Sequence, residues 1–177
     1  MSRAFIKNDN TDEPVVIPPR APLPPGVLNY VTPRGMARLR SEFAGLEAER
    51  ARLQADPGES PERKHRLAVL GGSIGELRQR IASARVIESR AQPPDSARFG
   101  ATVTLTTVSG PQPGEPRRFT IVGVDEADAA EGRVAFTTPL ARALLGRSVG
   151  EEVELETPQG GETLRIDVIE YDDSAAG

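Results

Sequence analysis

Asp56-Pro57-Gly58-Glu59 places two carboxylates three residues apart across a Pro-Gly pair, the pair that suits the second and third positions of a type II turn. A four-residue turn holds its first and last α-carbons within about 7 Å, so both carboxylates could reach one cation. The same acids would equally suit a solvated loop, and Glu59 and Glu62 would sit beside the positive end of a helix starting at Ser60-Pro61. Behind them Arg63, Lys64 and Arg66 form a basic group that could touch a phosphate or simply cover a solvated helical face. His65, in their midst, needs no role. The chain has no Cys and only this one His. A Cys/His zinc site, a Cys/His nucleophile pair, a Ser/His/Asp triad and disulfides are therefore excluded.

Two helices must carry this segment. Met36, Leu39, Phe43, Leu46, Arg50 and Leu53 recur at alternating steps of three and four, and Leu67, Leu70, Ile74, Leu77, Ile81 and Ala84 repeat the pattern. Two heptad seams of matched length joined by a tight turn predict an antiparallel coiled-coil hairpin, because each apolar stripe needs the other to leave water. Asn29-Tyr30-Val31-Thr32-Pro33-Arg34-Gly35 opens the first helix with Thr32 as N-cap and Pro33 in the first turn, and Ser60-Pro61 starts the second in the same way. The hairpin unit spans residues 29–90.

Residues 1–28 contain Pro14, Pro18, Pro19, Pro22, Pro24 and Pro25 and few large apolar side chains, so a disordered or extended tail is expected there. Residues 91–98 read as a linker. Beyond it, residues 99–107, 117–124, 133–137, 152–157 and 163–171 look strand-like around one short helix at 139–145, giving a small α+β domain over 99–173. That helix has both ends written out: Thr138 as N-cap, Pro139 at the first helical position and Gly146 as the stop. Residues 1–90 hold 15 Lys and Arg against 11 Asp and Glu, whereas 91–177 hold 7 against 15. The basic half is a candidate for nucleic acid and the acidic half for a basic protein surface, with ordinary solvated charge as the alternative. The N-terminus lacks the apolar core of a signal peptide and no run approaches the roughly 20 apolar residues of a membrane helix, so a cytoplasmic protein without membrane contact is expected.

Thr137 to Gly150, Phe99-Gly100-Ala101-Thr102-Val103 and Ile121-Val122-Gly123-Val124-Asp125-Glu126-Ala127-Asp128 together resemble the C-terminal domain of the Gre (GreA/GreB) family of bacterial transcription elongation factors. Thr32-Pro33-Arg34-Gly35 is similar to the segment that opens the family's N-terminal coiled coil. The resemblance runs from 29 to 171 in family order and is strongest over 99–150. It implies an FKBP-like C-terminal domain that docks at the rim of the RNA polymerase secondary channel, while the hairpin points down that channel. Thr138-Pro139 corresponds to the family's Ser-Pro docking pair, with Leu140 and Arg142 beside it and Thr137 where GreB has an Asp.

For Asp56 and Glu59 the resemblance implies the acidic coil tip of cleavage-stimulating members, which helps the polymerase hold a second Mg²⁺ over the 3′ end of the nascent RNA. The family motif continues into Asn-Ala and an aromatic; here Ser60-Pro61-Glu62-Arg63 follows. No cofactor or metal of the protein's own is implied, and a monomer is expected. Against the cleavage-competent pattern each arm looks about six or seven residues short, similar to the short coil of the regulator of nucleoside diphosphate kinase; this would withdraw the tip by on the order of 10 Å. The expectation is a non-catalytic polymerase-binding factor with weak or no stimulation of cleavage. The alternatives are a cleavage stimulator using Asp56 and Glu59, and an FKBP-like prolyl isomerase.

Overall fold

The computed structural model describes residues 20–89 and 92–171. Of the expected tail, residues 1–19 lie outside the described part. Strand β1 (Tyr30–Val31) leads into helix α1 (Pro33–Ala55), which a short loop connects to α2 (Pro61–Ser83) and strand β2 (Arg85–Val86). Thr32 and Ser60 accept the amides of Gly35 and Arg63, so both helices start at the caps expected of them. Every seam position is buried or half-buried. Met36, Leu39 and Leu77 form a closed cluster with Val31 at the base, while Leu46, Leu53 and Leu67 toward the tip are only half-covered.

β1 and β2 were not apparent in the sequence. Tyr30 pairs with Arg85 and Val31 with Val86 in a parallel ladder, which ties the start of one arm to the end of the other. A two-residue strand is too short to show the alternation by which strands are recognised.

The second unit is a five-stranded sheet in the order β5-β4-β3-β7-β6, built from β3 (Thr102–Ser109), β4 (Pro116–Val122), β5 (Arg133–Ala135), β6 (Glu152–Thr157) and β7 (Gly160–Glu170). The pairings β3–β4, β3–β7 and β6–β7 are antiparallel, but β5 runs parallel to β4. The sheet is thus mostly antiparallel, with β5 as a parallel edge strand. A parallel neighbour requires a crossover rather than a hairpin turn. Here the chain leaves at Gly123 and returns through two single 3₁₀ turns, Val124–Glu126 and Ala129–Glu131. That crossover carries Asp125 and Glu126 off the sheet.

Helix α3 (Pro139–Leu144) lies between β5 and β6 in sequence and turns Ala141 and Leu144 into the core with Val103, Leu105, Ile121, Leu164 and Ile166. Each such large side chain stabilises the fold by about 1.5–3 kcal/mol, enough to fix so short a helix against the sheet. Gly146, at φ 84°, ends the helix and donates its amide to Ala97 O at 2.7 Å. Residues 96 and 97 belong to this unit. Ser96 bridges Ser148, Ala97 is fully buried, and the Ala97 amide donates to Arg147 O at 2.7 Å.

Candidate functional site

The tip loop is held by its own backbone. Gly58 is not among the positive-φ glycines, so residues 56–59 do not form the expected type II turn, which needs φ above zero at that position. Instead the Gly58 amide donates to Asp56 Oδ1 at 3.0 Å, the side-chain-to-backbone contact by which Asp favours loops. Arg63 reaches back from α2 and donates to Leu53 O at 2.7 Å, Gly58 O at 2.5 Å and Gln54 O at 3.4 Å. Leu53 and Gln54 lie in the last turn of α1, which has no further turn to donate to their carbonyls, and Gly58 lies in the loop beyond it. One guanidinium therefore closes the hairpin.

Asp56 and Glu59 are both exposed, Glu59 79% so, and Glu59 lies 3.6 Å from Lys64 Nζ. Arg66 makes a two-nitrogen contact with Glu49 Oε1 at 2.6 and 3.0 Å. The basic group behind the tip is thus committed within the hairpin, two of its members to acids and Arg63 to carbonyls. The Glu62 carboxyl is held below its ordinary range by its own backbone N–H and then by the Ser60 hydroxyl. Among the described residues no three His, Asp or Glu side chains come together as a metal site. An ion at Asp56 and Glu59 would need further ligands from a partner.

The second candidate set stands at the start of α3. Thr138 accepts the Ala141 amide at 3.3 Å and donates its hydroxyl to Ala135 O at 2.9 Å, pinning the helix start to the end of β5. Pro139 and Arg142 are exposed, whereas Thr137, Thr138 and Leu140 are half-buried. Leu140 also packs on the sheet core, so only part of its surface is free. The tip set and the α3 set sit on different units of the molecule and do not form one site.

Between the two units lies a cluster that the sequence reading missed. Glu126 is 3% exposed and accepts the Thr32 amide at 3.0 Å, the Thr32 hydroxyl, and the Gly123 amide at 3.3 Å. A Cβ on Gly35 would fall 2.2 Å from Glu126 Cδ, and one on Gly123 would fall 2.4 Å from Tyr30 O. Glycine alone permits this approach. Tyr30, Phe99 and Phe136 stack beside it with ring centroids 5.6–5.9 Å apart.

Asp125, its side chain 3% exposed, accepts from Arg20 Nη1 at 2.8 Å and lies 3.4 Å from Arg80 Nε. Burial alone would lower the Arg20 guanidinium, but hydrogen bonds to Asp125 and Glu42 outweigh it and the net movement is upward. The available signal was the Thr-Pro-x-Gly start and the Gly-Val-Asp-Glu segment. Capping explains Thr32 and Pro33, but leaves Gly35 and the two adjacent acids without a reason.

Residues 92–171 match the family described as "Transcription elongation factor, GreA/GreB, C-term". The chain is 35% identical over 149 residues to transcription elongation factor GreA of Sphingopyxis alaskensis, covering 77% of this chain and 92% of that one. To GreA of Rickettsia conorii it is 33% identical over 154 residues, covering 80% and 93%. Among solved structures, the elongation factor GreA/GreB of Nitrosomonas europaea is similar at 21% identity and a TM-score of 0.40, covering 82% of this chain and 99% of that chain. These relatives give no support to a prolyl isomerase. No helix of the described residues is long and apolar enough to cross a membrane. The chain belongs to the GreA/GreB family of transcription elongation factors.

Proposed function

We propose that the protein binds RNA polymerase through the surface around the start of α3, places its hairpin in the secondary channel, and stimulates transcript cleavage weakly or not at all. The observation that carries this reading is the pairing of an exposed Pro139 and Arg142 on a helix packed against the sheet core with helical arms of only 23 residues each. Such arms extend about 34 Å. A binding surface on a fixed scaffold needs no rearrangement before docking, which keeps the ordering cost of association low.

A Mg²⁺ held jointly with the polymerase would, when bound, supply an activated water for RNA hydrolysis. From this chain Asp56 and Glu59 would be its ligands. Their exposure favours the second reading, a cleavage stimulator. Against it stand the engagement of Asp56 with Gly58, the pairing of Glu59 with Lys64, and the short arms. Carboxylates drawn back by several ångströms cannot ligate an ion that binds oxygen at about 2 Å.

Binding is tested by capturing core RNA polymerase with the full chain carrying Pro139→Glu or Arg142→Glu. Both side chains are exposed, so circular dichroism should match the parent while capture falls about tenfold or more, the fold-change equivalent to 1.4 kcal/mol. Equal capture by folded variants would remove this surface from the account. Leu140→Glu is a poorer probe, because Leu140 packs on the core and its loss would also destabilise the domain.

A further inference from the structure

Residues 20 and 21 touch three elements at once. Arg20 donates through Nη1 to Asp125 on the β4–β5 crossover and through Nη2 to Glu42 on α1, the latter at 2.5 Å. Arg80 on α2 donates in turn to the carbonyl of Ala21. A cleft of about 330 Å³ runs beneath, lined by Arg20, Gly35, Arg38, Leu39, Glu42 and Asp125 among others.

Asp125 depends on this segment. Among the described residues Arg20 is its only side-chain hydrogen-bond donor, since Arg80 Nε, though 3.4 Å away, makes no hydrogen bond and Asp125 Oδ2 is buried without a partner. Arg80 Nη1 is likewise buried without a partner. The ion cluster is therefore completed from outside the hairpin and the sheet. Taking one partner from a buried charge leaves its desolvation uncompensated, so the neighbours must move or water must enter.

We infer that Arg20 is a positioning residue, and that with Ala21 it straps the bases of both arms to the sheet domain and thereby sets the direction in which the hairpin tip points. Apart from the strap, the attachments between the units gather at the start of α1: Glu126 on Thr32, Phe99 and Phe136 against Tyr30, and Glu131 beside Arg34. Contacts gathered at one end of an arm act as a pivot. The strap adds Glu42, Arg80 and Asp125 to one side of that pivot and stops rotation about it. When it is absent, Arg80 is released from Ala21 and is free to turn to Asp125 Oδ2, which carries the base of α2 with it. An arm of 23 residues amplifies such a change: about 10° at the base moves the tip by about 6 Å over a 34 Å rod. What the direction serves rests on the polymerase-channel reading, but the direction itself does not.

The test uses the free full-length protein, so its failure leaves polymerase binding untouched. The chain has no Cys, and cysteines introduced at the exposed Ala55 and Val149 can carry spin labels at the tip and on the sheet domain. Pulsed electron paramagnetic resonance then reads the distance between them. Arg20→Ala should shift or broaden the distribution by about 5 Å or more with helix content unchanged. Arg20→Lys, whose single ammonium cannot serve both acids, should restore it only in part. Should Arg20→Ala lose helix content, Glu42→Ala removes the contact between Arg20 and α1 and should produce a change in the same direction. A distribution superimposable on the parent's in folded Arg20→Ala or Glu42→Ala overturns the inference.

Discussion

Glu126 accepts the backbone N–H of Thr32 across 94 positions of sequence, at 3.0 Å and almost out of contact with water. The N-cap of the first hairpin helix is thereby held by a carboxylate from the sheet crossover. Thr32 uses its own hydroxyl twice, accepting from the Gly35 amide and donating to Glu126. Two of the segments that carry the family resemblance, Thr32–Gly35 and Ile121–Asp128, are halves of one contact.

Glu126→Ala should therefore destabilise the protein by about 1–3 kcal/mol, because the Thr32 and Gly123 amides, which both donate to Glu126 Oε2, would be left buried without that acceptor. The midpoint of urea unfolding measures this. Gly35→Ala should be at least as harmful, since the new Cβ displaces the same carboxylate. A midpoint within error of the parent for both would mean that the contact carries no stability.

The tip gives a prediction opposite to its sequence signature. Gly58 does not use positive φ, and a Cβ there would meet only Asp56 Oδ1 at 3.4 Å. Gly58→Ala should change stability by less than about 0.5 kcal/mol. Arg63→Ala removes the donor from three carbonyls and should raise amide exchange at the end of α1 several-fold, as read by hydrogen exchange. Unchanged exchange there would show that Arg63 does not close the loop.

The hairpin was legible because its signals are local. Heptad spacing and two cap-and-proline starts place α1 at Pro33–Ala55 and the start of α2 at Pro61 without reference to anything distant. The strands were legible as segments but not in their pairing. Nothing in Arg133–Ala135 states that it lies parallel to β4, because direction is set by how the crossover folds back. The cluster at Asp125 and Glu126 was not legible at all. Each of its partners, Thr32, Arg20 and Arg80, has an ordinary local role as cap or solvated charge, and only the fold brings them together. Among the candidate residues, exposure at Pro139 and Arg142 follows from burial of Ala141 and Leu144 on the other side of a single helical turn.

Acid should weaken the fold through its depressed carboxyls, two of them in the sheet domain. Asp167 is held below its ordinary 3.8 by the Thr106 hydroxyl and then Arg165, and Glu151 below 4.5 by the Ser148 amide and then Arg147. A group whose folded value is depressed contributes stability above its unfolded value and loses it as pH falls through the folded one. Both contributions are thus full at neutral pH and fade below the ordinary carboxyl range. Asp167→Asn and Glu151→Gln should each be less stable than the parent at pH 7 and converge with it in acid, as measured by denaturant unfolding across that range. Curves offset equally at every pH would contradict this origin.

The most direct test of a polymerase factor with little cleavage activity is the rate of transcript cleavage in a backtracked elongation complex to which the full chain is shown to bind. The expected rate is close to that of polymerase alone, and the same with Asp56→Ala/Glu59→Ala. Strong cleavage that disappears in the double variant would contradict it, and would make the two tip carboxylates working ligands despite the short arms that carry them.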